Sequence, residues 1–148
     1  MRRFVWRLQR VLDIREKEEQ KARAELFELA EKLAATRGEL LMQQKMLEDI
    51  IHGLAGENPE SRLDKQEFFL RHSVTSDERI KELKDKIHVL ERQQREKVAE
   101  VLKIRRYKQG LEKLRAQARE EFIAEQERLE QKELDERAGV SFVRKTQS

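Results

Sequence analysis

The sequence has no cysteine and little aromatic, proline or glycine content. Aromatic residues make up 5% of its 148 residues, and there are one proline and five glycines. The absence of cysteine excludes a disulfide framework and thiolate metal sites. With 43% charged residues and so few aromatics, the chain cannot wrap a globular core. It also lacks the proline, glycine and serine bias of a disordered tail.

Long apolar runs are absent as well. No stretch approaches the roughly 20 apolar residues that cross a bilayer. The first residues begin like a signal peptide, but Arg7 and Arg10 interrupt the part that should be apolar. We therefore expect no secretion.

What the chain does contain is typical of long helices and coiled coils, namely Ala, Glu, Lys, Leu, Arg and Gln with few helix breakers. The breakers cluster between Gly53 and Pro59. Gly56 can end a helix in the left-handed conformation, and Asn58 and Pro59 suit the N-cap and first position of the next helix. The sequence predicts a single all-α coiled-coil domain over residues 1–148. Its predicted parts are helix 1 at about 4–54, a turn at 55–59, helix 2 at about 60–138 and a flexible tail at 139–148.

Both predicted helices carry a seven-residue repeat of apolar positions, which indicates a left-handed coiled coil. In helix 1 the first row is Val5, Leu12, Glu19, Leu26, Leu33, Leu40, Leu47 and Leu54. The second row is Leu8, Arg15, Ala22, Leu29, Thr36, Gln43 and Ile50. In helix 2 the first row is Ile80, Ile87, Gln94, Val101, Lys108, Arg115, Phe122 and Leu129. The second row is Leu83, Leu90, Lys97, Ile104, Leu111 and Ala118.

The short connection favours an antiparallel hairpin, and its register is predicted from one polar layer. Placing Glu19 opposite Lys97 aligns the leucine rows and pairs the two charges, whereas a slip by one heptad sets each charge against an aliphatic residue. In this register helix 2 extends beyond helix 1 as a C-terminal overhang of roughly 26 residues, about 40 Å. The core is thin where Thr36, Gly38 and Gln43 lie opposite Ser73 and Ser76, so we expect early hydrogen exchange there.

Signatures of catalysis are missing. The sequence contains no phosphate-binding glycine loop and no histidine–carboxylate spacing of a metal site. His52, His72 and His88 are scattered and are best explained as solvated helix residues. A two-helix structure offers no dry, concave pocket. We predict no enzymatic activity, no catalytic residue, no metal and no cofactor.

The charges are unevenly distributed along helix 2. Residues 92–119 hold ten basic and three acidic residues, whereas residues 120–137 hold eight acidic and three basic ones. A solvated helix face explains such runs most simply. Nucleic-acid binding is a functional alternative, although the acidic stretch would repel phosphates. Membrane binding by the N-terminal segment around Trp6 is another, although its Leu8 and Leu12 already fit the seam.

Both ends of the chain resemble a known family. Residues 4–19, FVWRLQRVLDIREKEE, resemble the opening of the FliJ family of flagellar export proteins, and residues 127–138, ERLEQKELDERA, resemble its closing segment. The resemblance implies a non-enzymatic, cytoplasmic stalk component at the flagellar base, peripheral to the inner membrane. The implied partners are the hexameric export ATPase, the membrane export gate protein and export chaperones. A virulence-type secretion stalk would show the same end motifs.

The resemblance suggests two binding regions. The open end of the hairpin and the overhang would contact the ATPase ring through Arg2, Arg3, Phe4, Trp6, Arg7, Phe122, Gln131, Lys132, Leu134, Asp135 and Glu136. The region near the turn would contact the export gate through Gln43, Leu47, Ile50, Leu54, Phe68 and His72. Seam packing is the alternative explanation for Leu47 and Leu54. Phe68 adjoins the seam residue Phe69, so we expect Phe68 to be the exposed one of the two.

Two other functions remain open from the residues alone. The chain is then either a generic homodimerising coiled-coil scaffold whose overhangs pair with each other, or a basic helical hairpin that binds nucleic acid. Neither needs a cofactor.

Overall fold

The computed structural model describes residues 2–56 and 58–147. In this part of the chain there are two helices and no strand: α1 is Gln9–Ala55 and α2 is Pro59–Gln147. The all-α fold class and the longer second helix are therefore confirmed. Three residues of the predicted domain lie outside the described residues, namely Met1, Glu57 of the turn and Ser148 of the tail.

The helix ends differ from the predicted ones at three places. Residues 2–8 are not helical, so α1 begins at Gln9 rather than near residue 4. Gly56 follows the end of α1 without a positive φ, so the predicted left-handed conformation is wrong. At the other end, α2 continues through Gly139 to Gln147 instead of ending near 138. The start of α2 at Pro59 agrees with its missing backbone N–H, and the Asn58 carbonyl accepts a hydrogen bond from the Arg62 amide at 2.9 Å.

The chain divides into two compact units. The first contains the described residues up to Gln20 and from Leu102 onwards, and the second contains those of Lys21–Val101. In each unit a segment of α1 packs against a segment of α2 in antiparallel direction. In the first unit, successively later α1 residues contact successively earlier α2 residues, from Gln9 with Arg115 to Glu19 with Arg105.

The buried residues of both units lie in the heptad rows that the sequence predicts. In the first unit they are Leu12, Glu19 and Leu111. In the second they are Ala22, Leu33, Thr36, Ser76, Leu83, Ile87, Leu90 and Val101. Leu33, Ile87 and Leu90 form a cluster against which Leu29 and Leu40 pack. Val5 is the exception among the predicted seam residues of α1, because it precedes the helix and is 81% exposed.

The predicted register, with Glu19 opposite Lys97, is wrong. Glu19 pairs with Lys108 at 3.1 Å and Arg105 at 3.4 Å, while Lys97 pairs with Glu25 and Glu100. The contacts are displaced from the predicted ones by about one heptad, a slip for which the sequence predicts a charge set against an aliphatic residue.

The rejected slip is tolerated because long cationic side chains reach past the apolar layer. The basic side chains keep partial access to water: Lys97 is 21% exposed, Lys108 23% and Arg105 42%. Their aliphatic stems cover the seam while the charged ends find carboxylates beside it. No charge is therefore left buried without a partner at these positions.

Two hydroxyl side chains occupy buried seam positions in the second unit. Thr36 and Ser76 are each 4% exposed, and the Thr36 hydroxyl donates to the Lys32 carbonyl at 2.7 Å. The Ser73 hydroxyl donates to the Leu70 carbonyl in the same way at 3.0 Å. α2 remains helical here. Gly38, predicted to lie in the same thin part of the core, is exposed, so that part of the prediction is wrong.

Candidate functional site

The N-terminal segment lies against α2 in the first unit. The rings of Phe4 and Phe122 are 5.5 Å apart and tilted by 51°, and the guanidinium of Arg115 lies 5.5 Å from the centre of the Phe4 ring. Arg115 also donates a hydrogen bond of 2.8 Å to the side-chain oxygen of Gln9. These contacts hold residues 4–9 against α2 although residues 2–8 are not helical.

Glu19 forms the charged centre of the first unit. Its side chain is 6% exposed, and Lys108 and Arg105 both contact it. The hydrogen bond from Lys108 lowers the pKa of the Glu19 carboxyl below its usual range, against the opposing effect of burial. The same bond raises the pKa of Lys108. Nearby, the Arg15 guanidinium lies 4.4 Å from the centre of the Tyr107 ring.

Around this centre the first unit carries exposed positive charge. Residues 102–119 hold seven basic residues and one acidic residue. Arg105, Lys108 and Arg115 are engaged in the contacts above. Eight further exposed basic residues form no ion pair with a described residue, and we call them the basic collar: Arg2, Arg3, Arg7, Arg10, Lys103, Arg106, Lys113 and Arg119.

Beyond Phe122, no described residue of α1 covers α2. From Glu127 to Gln147 every residue is exposed, and we call these residues the bare segment. Its first half is the later part of the acidic stretch 120–137. Arg128 pairs with Glu125 at 2.7 Å and the Gln131 amide donates to Asp135 at 3.2 Å. Lys132, Leu134 and Glu136 are exposed, with Leu134 at 58%. The bare segment therefore starts about 14 residues later than the predicted overhang, which began near residue 113, and it ends at Gln147 rather than near residue 138.

The first unit thus brings together only part of the set predicted to contact an ATPase ring. Phe4 and Phe122 are in contact, and Trp6 is half-buried beside exposed Arg2, Arg3 and Arg7. The motif from Gln131 to Glu136 belongs to the bare segment. No described contact links the motif to the N-terminal residues.

In the second unit, the residues predicted to contact an export gate divide by exposure. Gln43, Leu47, Ile50 and Leu54 are half-buried, as seam positions should be. Phe68 is 62% exposed whereas Phe69 is half-buried, which confirms the expected orientation of this pair. The Phe68 ring stacks on His72, with centroids 5.7 Å apart and planes 8° from parallel.

Sequence reasoning missed several exposed apolar side chains of the second unit. Leu41 and Met42 on α1 are 66% and 67% exposed, and Leu63, Leu70 and Val74 on α2 are 70%, 65% and 61% exposed. The signal was available, because all five lie outside the two heptad rows.

Within the described residues, no group of three or more His, Asp or Glu side chains is placed to hold a metal ion. No helix in this part of the chain is long and apolar enough to cross a membrane. The described residues present three exposed surfaces: the basic collar, the bare segment of α2 and the side chains near Phe68.

Comparison with known proteins gives one match. The model of a family described as "Flagellar FliJ protein" matches residues 4–147, nearly the whole chain. No curated protein and no solved structure matches it.

Proposed function

The chain belongs to the FliJ family of flagellar proteins, and on this basis we propose that it is a non-enzymatic stalk of the flagellar type III protein export apparatus. The family makes it a structural protein of flagellar export. The finer proposal is that one end binds the hexameric export ATPase while the other contacts the membrane export gate protein. The chain would act in the cytoplasm at the flagellar base, held near the inner membrane only by its partners.

The arrangement of the first unit supports ATPase-ring binding most directly. The basic collar presents eight side chains without ion pairs to described residues, and such a positive surface complements acidic loops of a ring. The bare segment of α2 adds an exposed helix of the width needed to enter a central pore, about 10–12 Å with its side chains. The basic collar provides Arg2, Arg3 and Arg7 for the proposed contact with the ring, and the bare segment provides Gln131 to Glu136.

Contact with the export gate is proposed for the second unit. Phe68, stacked on His72, offers an exposed aromatic surface of the kind that anchors protein interfaces. Gln43, Leu47, Ile50 and Leu54 are half-buried, so each retains some surface for a partner while it packs in the seam. Handling of export chaperones is part of the same proposal, through contacts with residues that we do not assign.

Purification together with the export ATPase, and measurement of ATP hydrolysis, test the ring-binding proposal. We expect the full chain to form a complex with the ATPase and to stimulate hydrolysis. A variant that ends at Phe122 keeps every described contact between α1 and α2, so it should fold but lose stimulation. A Phe68→Ala variant is the matched control, because it should stimulate like the full chain. Absence of both a complex and stimulation with the full chain would contradict the proposal.

The basic collar also favours a second candidate function, nucleic-acid binding. Exposed Lys and Arg side chains bind phosphates with a steep dependence on salt. The adjoining acidic stretch 120–137 opposes this. Binding of duplex DNA or RNA that weakens steeply with salt, together with no effect on the ATPase, would favour this candidate over the stalk.

A further inference from the structure

The side of α1 that points away from α2 carries an uncovered apolar surface in the second unit. At 3.6 residues per turn, Gly38 lies on the side nearly opposite the seam residues Leu33 and Leu40, and Ala34 and Leu41 lie between it and the seam. We call the outer patch the five exposed residues Ala34, Ala35, Gly38, Leu41 and Met42. Leu41 and Met42 are 66% and 67% exposed. A helix that packs on one side only normally has polar residues here.

Gly38, at the centre of the outer patch, is not required by the fold of the chain itself. Glycine destabilises a helix interior relative to alanine. Gly38 has no positive φ, and a Cβ atom built on it would meet nothing within 4 Å. Gly110 has equally open space, but charged Arg106 and Lys113 lie beside it together with the exposed Tyr107 and Leu114. Gly38 differs because all four residues three or four positions away are apolar, two of them small and two large.

The outer patch is complementary to itself about a two-fold axis through Gly38. In an antiparallel pair of α1 helices related by this axis, Ala34 of one copy lies beside Leu41 of the other. Ala35 then lies beside Met42, and the two Gly38 residues meet at the axis. Each large side chain faces a small one, so the two surfaces interdigitate without overlap, and glycine at the crossing lets the backbones approach closely.

The charges that flank the outer patch are complementary under the same axis. Glu31 and Lys45 lie seven residues before and after Gly38, on the same side of α1. Both are exposed, and neither forms an ion pair with a described residue. The axis brings Glu31 of each copy to Lys45 of the other, which makes two pairs of opposite charge. A register displaced by one residue along α1 would lose this match together with the match of large and small residues.

From these relationships we infer that the outer patch is a docking surface for a second copy of this chain, bound antiparallel through α1. The surface is short, so the dimer belongs to the class of small, readily dissociating interfaces. It uses neither the basic collar nor the bare segment of α2. It is therefore separate from the proposed stalk function and from the pairing of overhangs considered for a scaffold.

Analytical ultracentrifugation of the full chain, between about 10 µM and 1 mM, tests the inference over the range in which small interfaces dissociate. We expect the mean mass to rise with concentration from monomer towards dimer. Gly38→Gln should weaken association at least about tenfold, because its side chain blocks the close approach of the helices. Gly110→Gln is the matched control and should leave association unchanged. Circular dichroism of both variants checks that the helices are retained.

Charge reversal tests the orientation of the two copies. Glu31→Lys and Lys45→Glu should each weaken the dimer, since each creates two pairs of like charge, and the double variant should restore it. A chain that stays monomeric up to about 1 mM overturns the inference. So does a dimer that tolerates Gly38→Gln, or a double charge reversal that restores nothing, because either result places the contact elsewhere.

Discussion

Lys108 places its ammonium nitrogen 3.1 Å from a carboxylate oxygen of Glu19, at a seam position where Glu19 is 6% exposed. This contact links α1 and α2 in the first unit, and Arg105 adds a second one to the same carboxylate. In the second unit Lys97 of α2 links the helices in the same manner through Glu25 of α1. These cross-helix charges make stability depend on pH.

The Glu19 carboxyl predicts a loss of stability in acid. Lys108 lowers its pKa below the ordinary value of 4.5, and Lys97 lowers that of Glu25. A lowered pKa in the folded state means that the ionised carboxylate contributes stability above the ordinary pKa. This contribution is lost as the pH falls from 4.5 through the folded-state pKa. Urea denaturation over a pH series from neutrality into acid should show the free energy of unfolding falling in that window.

Glu19→Gln provides the test of this assignment. It should lower the free energy of unfolding at neutral pH by about 1–3 kcal/mol, since a charge-assisted hydrogen bond is lost. It should also make the pH dependence shallower. The exposed Glu133→Gln should behave like the wild type. If Glu19→Gln and the wild type have the same acid slope, the Lys108 contact does not act as described.

The fluorescence of Trp6 should report whether the N-terminal segment is packed against α2. It is the single tryptophan of the chain and is half-buried. Phe122→Ala removes the ring that contacts Phe4, a loss of about 0.5–1.5 kcal/mol for an aromatic pair. We expect the emission of Trp6 to shift to longer wavelength and its quenching by acrylamide to increase. Ile123→Ala, at a neighbouring residue that is 46% exposed, is the control and should leave both unchanged.

Phe68 predicts a defect in export-gate binding without loss of fold. Because the ring is 62% exposed, Phe68→Ala should leave the thermal midpoint nearly unchanged. If Phe68 anchors the contact, affinity for the gate protein should fall on the order of tenfold. Leu63→Ala removes a side chain of similar exposure, 70%, and serves as the control. Unchanged binding of Phe68→Ala in a calorimetric titration would refute the assignment.

The buried hydroxyl residue Ser76 of the second unit leads us to expect early hydrogen exchange in the surrounding stretch of α2. Thr36 and Ser76 occupy buried positions where leucine or isoleucine would bury more apolar surface. We expect amides at 70–80 to exchange before those around Leu83, Ile87 and Leu90, measured by mass spectrometry after short labelling times. Ser76→Ala should slow this exchange, because alanine favours the helix more than serine does, and uniform protection across 70–80 would argue against the prediction.

Much of this fold is contained in the periodicity of the chain. The seven-residue spacing of Leu26, Leu33 and Leu40 determines which side of α1 is buried, because the helix returns to nearly the same direction every two turns. The breakers before Pro59 determine where the second helix starts. The exposure of Phe68 follows from the same spacing, since its neighbour Phe69 occupies the seam side.

The register and the surfaces were decided by tertiary structure. A repeat of seven matches itself after a slide of seven, so the leucine rows alone cannot distinguish Glu19 opposite Lys97 from the arrangement found. The choice depends on how far Lys108, Arg105 and Lys97 reach beyond the apolar layer to a carboxylate, which is a matter of side-chain position in space. The contact of Phe4 with Phe122 likewise follows from that register, because it sets which part of α2 the N-terminal segment meets.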